Sequence, residues 1–353
     1  MNTIEHCEVR GNHHEVGLAI GSHFADAIHR FFDSYERLQR QLLPFYETST
    51  GNKYYQQFLA LHQDRFPAYM SELEGIAMGA DRPFEEFFLV NLRGEFAGLM
   101  PPASQTGNTS VQGCTDCLVL TPDAALVGHN EDGSPASLGR LYVVSVDLDD
   151  GPTFSALSYP GFLPGNAFGF NQDGILHTVN NVAPRPIQVG LSRHFLARSL
   201  FDARSLDEAI RKITASDRAS GFNYNIGSLS ERRLVSIEVT PQRHHVHEVL
   251  GCYTHTNHYF QLDEPQQEIT RSSRKRLERC QSINRAAPPG QAGQVLALLG
   301  NRDDTDYPVH REASAPDADA TLCSALYDLD KRELRIYYGH PIDEPEKFVE
   351  FTL

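Results

Sequence analysis

The amino-acid sequence changes its hydrophobic pattern at residue 113, and this break constrains the fold more than any other feature. Before it, apolar residues recur every three or four positions over residues 28–42 and 58–77, which is typical of amphipathic helices. A third, shorter helical segment is predicted over residues 84–96. After residue 113, apolar residues form short runs separated by turn residues, which indicates β-hairpins. The sequence therefore predicts a helical first third and a strand-rich remainder.

The strand-rich part also contains helical patterns, at residues 193–213, 274–283 and, more weakly, 292–299. The hairpin signals are paired apolar runs at 117–120 with 125–128, 141–148 with the run after Asp149-Asp150-Gly151, 234–239 with 246–250, and 322–327 with 334–338. Antiparallel strands combined with helices that are grouped in blocks favour an α+β fold in which helices cover the sheets.

Composition fits a folded protein and argues against two classes of partner. Hydrophobic residues make up 40 % of the 353 residues and charged residues 22 %, so the chain can bury a core. The 46 acidic residues outnumber the 31 basic ones, and the net charge of −15 opposes binding to nucleic acid or to an anionic membrane. The sequence shows neither a run of about 18 apolar residues nor a signal-peptide pattern. We therefore expect a cytoplasmic protein with no membrane or nucleic-acid partner.

The junction Gly113-Cys114 is an unusual place for a thiol. Residues 97–113 are rich in Gly, Pro, Ser and Thr and predict an exposed linker, and Cys114 follows directly at the start of a strand. If the chain were cut between the two residues, the new α-amine, with a reference pKa of about 7.7–8.0, could accept the thiol proton. Glycine also tolerates the strained backbone that attack on its own carbonyl would require. Cys114 is therefore a candidate self-cleaving nucleophile.

The first hairpin brings polar residues back to Cys114. A four-residue loop, 121–124, pairs Leu120 with Ala125 and places Cys114 opposite Glu131. A register shift of one residue would instead place Asn130 or Asp132 on the thiol's face. An aspartate there could hold an α-ammonium group, and an asparagine amide could orient a substrate or an oxyanion. A plain turn capped by Asn and Asp is the alternative that this segment leaves open.

Ordered motifs lie along nearly the whole chain, namely Gly11-Asn12-His13-His14-Glu15-Val16-Gly17 with Gly21, Glu74-Gly75-Ile76-Ala77, Asn91, Glu95-Phe96-Ala97, Gly113-Cys114-Thr115, Gly128-His129-Asn130-Glu131-Asp132, Gly169-Phe170-Asn171-Gln172-Asp173-Gly174, His255-Thr256-Asn257-His258 and Gly339-His340-Pro341. Together these motifs resemble the isopenicillin-N acyltransferase family of N-terminal-nucleophile (Ntn) hydrolases. Glu131 and the segment at 159–165 look more like the branch of amide hydrolases that includes β-alanyl-dopamine hydrolase.

The resemblance implies an architecture and a maturation step. The expected fold is a four-layer αββα Ntn-hydrolase sandwich, with two antiparallel sheets covered by helices. The expected precursor cleaves itself between Gly113 and Cys114, which gives a light chain, 1–113, and a heavy chain, 114–353. We expect the two fragments to stay associated as one compact domain.

The resemblance also implies catalytic roles. Cys114 matches the nucleophile, with its freed α-amine as the base, and Asp132 matches the carboxylate that orients this amine. Asn257 matches an amide of the oxyanion hole. Another active-site asparagine corresponds to either Asn180 or Asn181, since relatives differ in this position.

The substrate-binding residues are expected around the same hairpin. His129, Asn130 and Glu131 are predicted to line the substrate pocket, and Arg311 lies near a family arginine that contacts substrate. His129 departs from the family, because the penicillin-pathway acyltransferase has Gln and the bile-salt hydrolases have Arg at this position. The identity of the substrate therefore does not follow from the resemblance.

The sequence as a whole predicts a self-processing cysteine amidase that cleaves a small N-acyl amine, for example a β-alanyl amide, through a Cys114 thioester. No cofactor or metal is expected. Transfer of the acyl group to another amine is the main alternative. A more remote alternative is a metal or redox site that combines Cys114-x-x-Cys117 with Cys252-x-x-His255 or His258. A binding module without activity would leave the Gly113-Cys114 arrangement and Asn257 unexplained.

Overall fold

The computed structural model describes residues 3–101, 113–264 and 266–353, so most of the predicted linker lies outside the described residues. The first part begins with a strand, β1 (Glu5–Gly11), which the sequence analysis missed because only Cys7 and Val9 give it an alternating apolar pattern. The helices that follow are α1 (His13–His23), α2 (Ala25–Ser34), α3 (Leu43–Tyr46), α4 (Ser49–Arg65), α5 (Pro67–Gly79), α6 (Phe84–Asn91) and α7 (Arg93–Gly98).

Strands dominate the rest of the described chain, as predicted. They are β2 (Cys114–Leu120), β3 (Ala125–Gly133), β4 (Tyr142–Leu148), β5 (Thr153–Ser158), β6 (Phe168–Asn171), β7 (Ile175–Asn181), β8 (Phe222–Ser228), β9 (Arg233–Val239), β10 (His244–Glu248), β11 (Gly251–His255), β12 (Ala320–Asp328), β13 (Glu333–Tyr337) and β14 (Phe348–Thr352). The helices are α8 (Arg193–Ser199), α9 (Leu206–Ile213), α10 (Arg271–Ala286) and α11 (Ala292–Leu299).

The helix predicted over residues 193–213 is two helices, α8 and α9. Ser205 lies between them and caps the second, since its side chain accepts a hydrogen bond from the backbone N–H of Glu208. A serine at this position satisfies an otherwise unpaired donor at a helix start, and so favours a new helix over a continuous one.

The strands form two sheets. One has eight strands in the order β1-β4-β5-β6-β7-β8-β9-β10, and the other has six in the order β11-β2-β3-β12-β13-β14. The pairing is antiparallel except between β1 and β4, which run parallel. Parallel strands need a long crossover connection, and helices α1–α7 with the β2–β3 hairpin supply it between β1 and β4.

Helices cover the outer face of each sheet. Helix α1 packs on β1 and β4, and α9 packs on β8 and β9, so both lie on the eight-stranded sheet. Helix α11 packs on β2, β3 and β12 of the six-stranded sheet. The two sheets meet where β2 contacts β7 and β9. The predicted α+β fold with four layers, αββα, is therefore confirmed. Each helix in the described ranges is too short or too polar to span a bilayer.

The β2–β3 hairpin has the register that the loop length predicts. Leu120 pairs with Ala125 and Cys114 pairs with Glu131. Because side chains alternate across a strand, Cys114 and Glu131 share the face that is turned toward the eight-stranded sheet. Thr115 and Asn130, one residue along on each strand, belong to the opposite face, which α11 covers.

Candidate active site

Cys114 lies at the first position of β2 and is buried. Its backbone N–H donates a hydrogen bond to Asn257 Oδ1 at 2.9 Å. Its Sγ lies 3.9 Å from Glu131 Oε2. Burial, and then the charge of Glu131, raise the pKa of the thiol to about 12, while a hydrogen bond with the His129 side chain acts in the opposite direction. In the uncut chain the thiol is therefore protonated and requires a base before it can attack.

Arg276 of α10 fixes the backbone around the nucleophile. Its Nη1 donates to the carbonyl oxygen of Cys114 at 2.6 Å and to Thr115 Oγ1 at 2.7 Å. Its Nη2 donates to Asn257 Oδ1 at 2.7 Å. The Asn257 oxygen thus accepts from two donors, and its Nδ2 donates to the backbone oxygen of Asn181 at 3.0 Å. Arg276 was not predicted as a site residue, because no local pattern links a helix at residue 276 to a strand at residue 114.

Gly113 is held on both sides of the bond that joins it to Cys114. Its carbonyl oxygen accepts a hydrogen bond from the backbone N–H of Asp132 at 3.0 Å. A Cβ atom at Gly113 would lie 2.3 Å from Arg311 Nη1 and 3.0 Å from Arg276 Nη2. The lack of space beside two guanidinium groups is therefore a specific reason for glycine here.

The Asp132 carboxylate and Arg311 lie on the helix-covered side of the six-stranded sheet. Asp132 Oδ1 accepts from Thr321 Oγ1 at 2.7 Å, and Asp132 Oδ2 lies 3.7 Å from Arg311 Nη1 and 3.9 Å from Arg276 Nη1. Burial raises the pKa of Asp132 to about 7, and the two arginines only partly offset this. Arg311 also forms ion pairs with the carboxylates of Asp317 and Asp319. Asp132 thus reaches the Gly113–Cys114 bond through its backbone N–H, and orientation of the α-amine by its carboxylate stays a prediction.

His129 and Glu131 form a buried network on the other face, beside the thiol. His129 Nε2 lies 3.0 Å from Glu131 Oε2, and His129 Nδ1 lies 3.0 Å from Asp116 Oδ2. The Tyr159 hydroxyl donates to Glu131 Oε1 at 2.5 Å. Burial opposes a charge on His129, but Asp116 and the hydrogen bonds to Cys114 and Glu131 raise its pKa well above 6.5. The sequence analysis missed Asp116, although alternation along β2 places it on the same face as Cys114.

Asn180 and Asn181 reach the site by different routes. Asn180 Nδ2 donates to Asp116 Oδ2 at 2.5 Å, which makes Asn180 part of the buried network behind His129. The Asn181 side chain accepts from Arg193 Nη1 at 2.6 Å, and its backbone oxygen contacts Asn257. Asn181 therefore reaches the Cys114 backbone through Asn257, whereas Asn180 reaches the Cys114 side chain through Asp116 and His129.

A cavity of about 160 Å³ lies next to Asn181. Its charged lining residues are Arg37, Arg185, Arg193 and Glu268, so guanidinium groups outnumber carboxylates. Residues on both sides of the 113–114 junction contribute to it, including Gly94, Gly98 and Val182. Asn181 is the lining residue that also contacts Asn257, the hydrogen-bond partner of the Cys114 nitrogen, which makes the cavity the candidate space for part of a substrate.

The Asn130 side chain does not contact the Cys114 thiol. Its Nδ2 donates to the backbone oxygens of Leu299 at 2.9 Å and Val309 at 3.2 Å, and its oxygen accepts from Ser324 Oγ at 2.7 Å. The amide therefore anchors α11 to the sheet. The prediction that Asn130 lines a substrate pocket finds no geometric support, because the confirmed register turns it to the opposite face from Cys114.

Cys117 also lies away from Cys114, so these two residues do not form a Cys-x-x-Cys site. Cys117 belongs to the apolar cluster under α10 and α11, and its Sγ is 3.8 Å from Cys252 Sγ. In the described chain, one group of three side chains has ligand atoms close enough for a metal, namely Cys114, His129 and Glu131, all within 4.8 Å of one another.

Comparison with known proteins gives consistent results. Residues 119–343 match the family model described as acyl-coenzyme A:6-aminopenicillanic acid acyl-transferase. The chain is 28 % identical to beta-alanyl-dopamine/carcinine hydrolase from Drosophila melanogaster, over 94 % of this chain and 92 % of that protein. It is 27 % identical to the acyl-coenzyme A:6-aminopenicillanic-acid-acyltransferase 40 kDa form from Emericella nidulans, over 81 % of this chain and 79 % of that protein. Among solved structures, a mutant of conjugated bile acid hydrolase from Clostridium perfringens aligns with 68 % of this chain and 92 % of its own, with 10 % identity and a TM-score of 0.42.

Proposed function

Because the chain belongs to the acyl-coenzyme A:6-aminopenicillanic acid acyl-transferase family, we propose that it is a self-processing amide hydrolase that cleaves small N-acyl amines through a thioester at Cys114. One observation carries this proposal. Both polar atoms of the Gly113–Cys114 peptide bond form hydrogen bonds, and the Cys114 thiol lies next to them. The carbonyl oxygen accepts from the Asp132 N–H, and the nitrogen donates to Asn257 Oδ1. The first contact continues the β2–β3 ladder by one rung, whereas the second, a side-chain oxygen on the Cys114 nitrogen, is not part of strand pairing.

The contacts of the bond suit cleavage. When the thiolate attacks the Gly113 carbonyl carbon, negative charge develops on the carbonyl oxygen, and the Asp132 N–H is already 3.0 Å from that oxygen. A fixed donor at the position of the developing charge stabilises the transition state. Arg276, held on the Cys114 carbonyl, keeps the nucleophile's backbone in place as the chain separates.

The same contacts suit turnover after cleavage. The nitrogen next to Asn257 Oδ1 becomes an α-amine, and the nearby Arg276 guanidinium disfavours its protonated form, which is the state a base requires. The amine takes the thiol proton, the thiolate attacks the substrate amide, and the amine returns the proton to the leaving amine. Water then hydrolyses the thioester and releases the acid.

We propose an aminoacyl amide of the β-alanyl type as the substrate. The relative from Drosophila melanogaster is named for hydrolysis of beta-alanyl-dopamine and carcinine. In this chain, the Glu131 carboxylate lies 3.9 Å from Cys114 Sγ, so a cationic acyl group bound at the thiol would meet a negative charge. The arginine-rich cavity beside Asn181 suits the uncharged, hydrogen-bonding amine part of such a molecule.

Acyl transfer is the second candidate, supported by the name of the relative from Emericella nidulans. It uses the same thioester and differs in the nucleophile that resolves it. The arrangement around Cys114 serves both reactions, so an assay has to separate them.

The assay uses the processed protein with a β-alanyl amide, an N-propionyl amide as the uncharged analogue, and an excess of a competing amine. We expect release of free acid, faster from the β-alanyl amide, and loss of activity in Cys114→Ala. Formation of a new amide with the competing amine would instead support acyl transfer. Hydrolysis that persists in Cys114→Ala would contradict the proposal.

The light and heavy fragments are proposed to stay together after cleavage. Buried polar contacts join residues 1–113 to residues 114–353. They include the ion pair of Glu72 with Arg198 at 2.8 Å and that of Glu95 with Arg193 at 3.7 Å. The backbone N–H of Ser192 also donates to His62 Nε2 at 3.1 Å. Separation would remove these partners, although Arg198 would keep Asp202 and Glu72 would keep His13, and losing a partner is costly for buried charges.

A further inference from the structure

Self-cleavage needs a base, and in the uncut chain Cys114 has no free α-amine that could act as one. Before cleavage the Cys114 nitrogen is part of a peptide bond, and an amide nitrogen does not accept the thiol proton. The base that serves turnover therefore does not exist when the first bond has to break. Another group has to remove the proton from a buried thiol whose pKa is raised to about 12.

We propose that His129 is the proton acceptor for the Cys114 thiol during self-cleavage, oriented for this role by Asp116. This inference rests on the proposed function, since it concerns the maturation of the same site. It assigns to His129 a chemical step in place of the substrate-binding role that the sequence predicts.

The geometry is that of a nucleophile, a base and an orienting carboxylate. His129 Nδ1 is bound to Asp116 Oδ2 at 3.0 Å, which directs Nε2 toward Glu131 and Cys114. The Cys114 sulfur, a His129 ring nitrogen and a Glu131 oxygen lie within 4.8 Å of one another, so the imidazole is beside the thiol. A histidine whose second nitrogen is held by a carboxylate is the arrangement that activates nucleophiles in unrelated hydrolases.

Asp116 is itself fixed from the second sheet. Thr178 Oγ1 donates to Asp116 Oδ1 and Asn180 Nδ2 donates to Asp116 Oδ2, both at 2.5 Å. Asn180 is in turn held by Asn223 and Asn225 of β8, each within 3.1 Å of its oxygen. The imidazole therefore has one orientation, which a general base requires.

His129 differs from Glu131, the other group beside the thiol, because a second carboxylate, Asp116, orients it. The groups that face His129 are Asp116 and Cys114 on β2, Glu131 on β3, His177 on β7 and Cys323 on β12. Asp116, Cys114 and Glu131 raise the pKa of His129 well above 6.5 against the effect of burial, which brings it closer to the pKa of the thiol. Proton transfer is most efficient when donor and acceptor are similar in basicity.

The step balances as follows. Neutral His129 takes the thiol proton, and the thiolate forms a bond to the Gly113 carbonyl carbon, whose oxygen becomes negative next to Asp132 N–H. The C–N bond to Cys114 then breaks as its nitrogen receives the proton from His129, which leaves a free amine and a Gly113 thioester on Cys114 Sγ. Water hydrolyses the thioester to the Gly113 carboxylate and the free thiol.

The test measures self-cleavage during cell-free synthesis, with samples quenched in denaturant and analysed by intact mass. We compare wild type, His129→Gln, Cys114→Ala and the matched control His177→Gln, which removes a buried imidazole that hydrogen-bonds Gly165 rather than the thiol. We expect His129→Gln to slow cleavage by about 100-fold or more, the usual contribution of a general base, and His177→Gln to cleave at the wild-type rate.

Two further readings separate a chemical role of His129 from a structural one. The wild-type cleavage rate should rise with pH as neutral His129 is formed, and Asp116→Asn should move this profile to lower pH because it removes the charge that favours protonation. We expect His129→Gln to reduce the rate of self-cleavage far more than the rate of β-alanyl amide turnover. Turnover is counted per molecule that carries a free Cys114 amine.

Cleavage of His129→Gln at the wild-type rate, while Cys114→Ala stays uncut, would overturn the role of His129 and leave the proposed function standing. An unshifted pH profile in Asp116→Asn would also overturn it, and this variant decides the matter if His129→Gln fails to fold. A wild-type chain that stays uncut would overturn the proposed function itself.

Discussion

Gly113 shows how a single position can be dictated by its neighbours rather than by its own flexibility. A methyl group there would lie 2.3 Å from Arg311 Nη1 and would push the guanidinium away from Asp132. We expect Gly113→Ala to slow self-cleavage at least tenfold and to lower the melting temperature, measured by intact mass and thermal unfolding.

Gly293→Ala is the matched control, because Gly293 is exposed within α11 and a Cβ there meets nothing within 4 Å. This change should leave cleavage intact and stabilise the protein by up to about 1 kcal/mol, since alanine favours a helix over glycine. Cleavage of Gly113→Ala at the wild-type rate would contradict the steric account of this position.

Local rules were sufficient for some site residues and not for others. The loop length favoured the pairing of Cys114 with Glu131, one of the registers that the sequence left open and the one the structure has, and strand alternation would have extended the same face to Asp116. Arg276 and Tyr159 reach the site from segments whose approach depends on how helices and loops pack on the sheets. Such long-range contacts leave no trace in the spacing of residues along the chain.

At the scale of elements, helix α5 is joined to α8 by a fully buried ion pair. Glu72 accepts two hydrogen bonds from Arg198, at 3.1 and 2.8 Å, and lies 2.8 Å from His13 Nδ1. We expect Glu72→Ala to lower the free energy of unfolding by about 3 kcal/mol, because Arg198 would remain buried with only Asp202, 3.7 Å away, as a counter-charge. Urea unfolding in a Cys114→Ala background, which keeps the chain uncut, measures this change.

The exposed pair of Arg335 with Glu350, at 2.7 Å, provides the comparison. Glu350→Ala should cost less than about 1 kcal/mol, since solvent screens exposed ion pairs. Similar losses in the two variants would show that the α5–α8 contact does not depend on this ion pair.

Element boundaries were predictable where local signals are strong. The hairpins follow from turn residues and alternating apolar positions, and β2–β3 has the expected register. Strand β1 was missed because a short edge strand buries few side chains. The break between α8 and α9 depends on the cap at Ser205, a signal that apolar periodicity does not contain.

At the scale of the whole molecule, several buried histidines make stability depend on pH. Burial lowers the pKa of His62, His177, His258 and His310 to about 4. The unfolded chain, with histidine pKa values near 6.5, binds more protons than the folded one between about pH 4 and 6.5, so stability falls as the pH falls through this range. His129 and Asp132, whose pKa values are raised, act in the opposite direction and reduce the net loss.

Urea unfolding of the uncut Cys114→Ala protein at pH 7.5 and 5.0 tests this dependence. We expect a lower midpoint at pH 5.0, and a smaller difference between the two pH values in a protein that also carries His62→Gln. Equal midpoints at both pH values would contradict the assignment of these histidines as buried and neutral.

The fragments 1–113 and 114–353 should behave as one particle. The hydrophobic core is shared, since Phe32 and Phe87 of the first fragment belong to the same apolar cluster as Phe154 and Phe168 of the second. Size-exclusion chromatography of the cleaved protein should give one peak that contains both fragments, and denaturant should release them. Separate native peaks would contradict this account.

Self-cleavage at the Gly113–Cys114 bond is measured by the intact mass of the purified protein under denaturing conditions. We expect two species in wild type, with the masses of residues 1–113 and 114–353, and a single full-length species in Cys114→Ala. A single full-length chain in wild type, or a cut that persists at the same bond in Cys114→Ala, would contradict Cys114 as the nucleophile that releases its own amine.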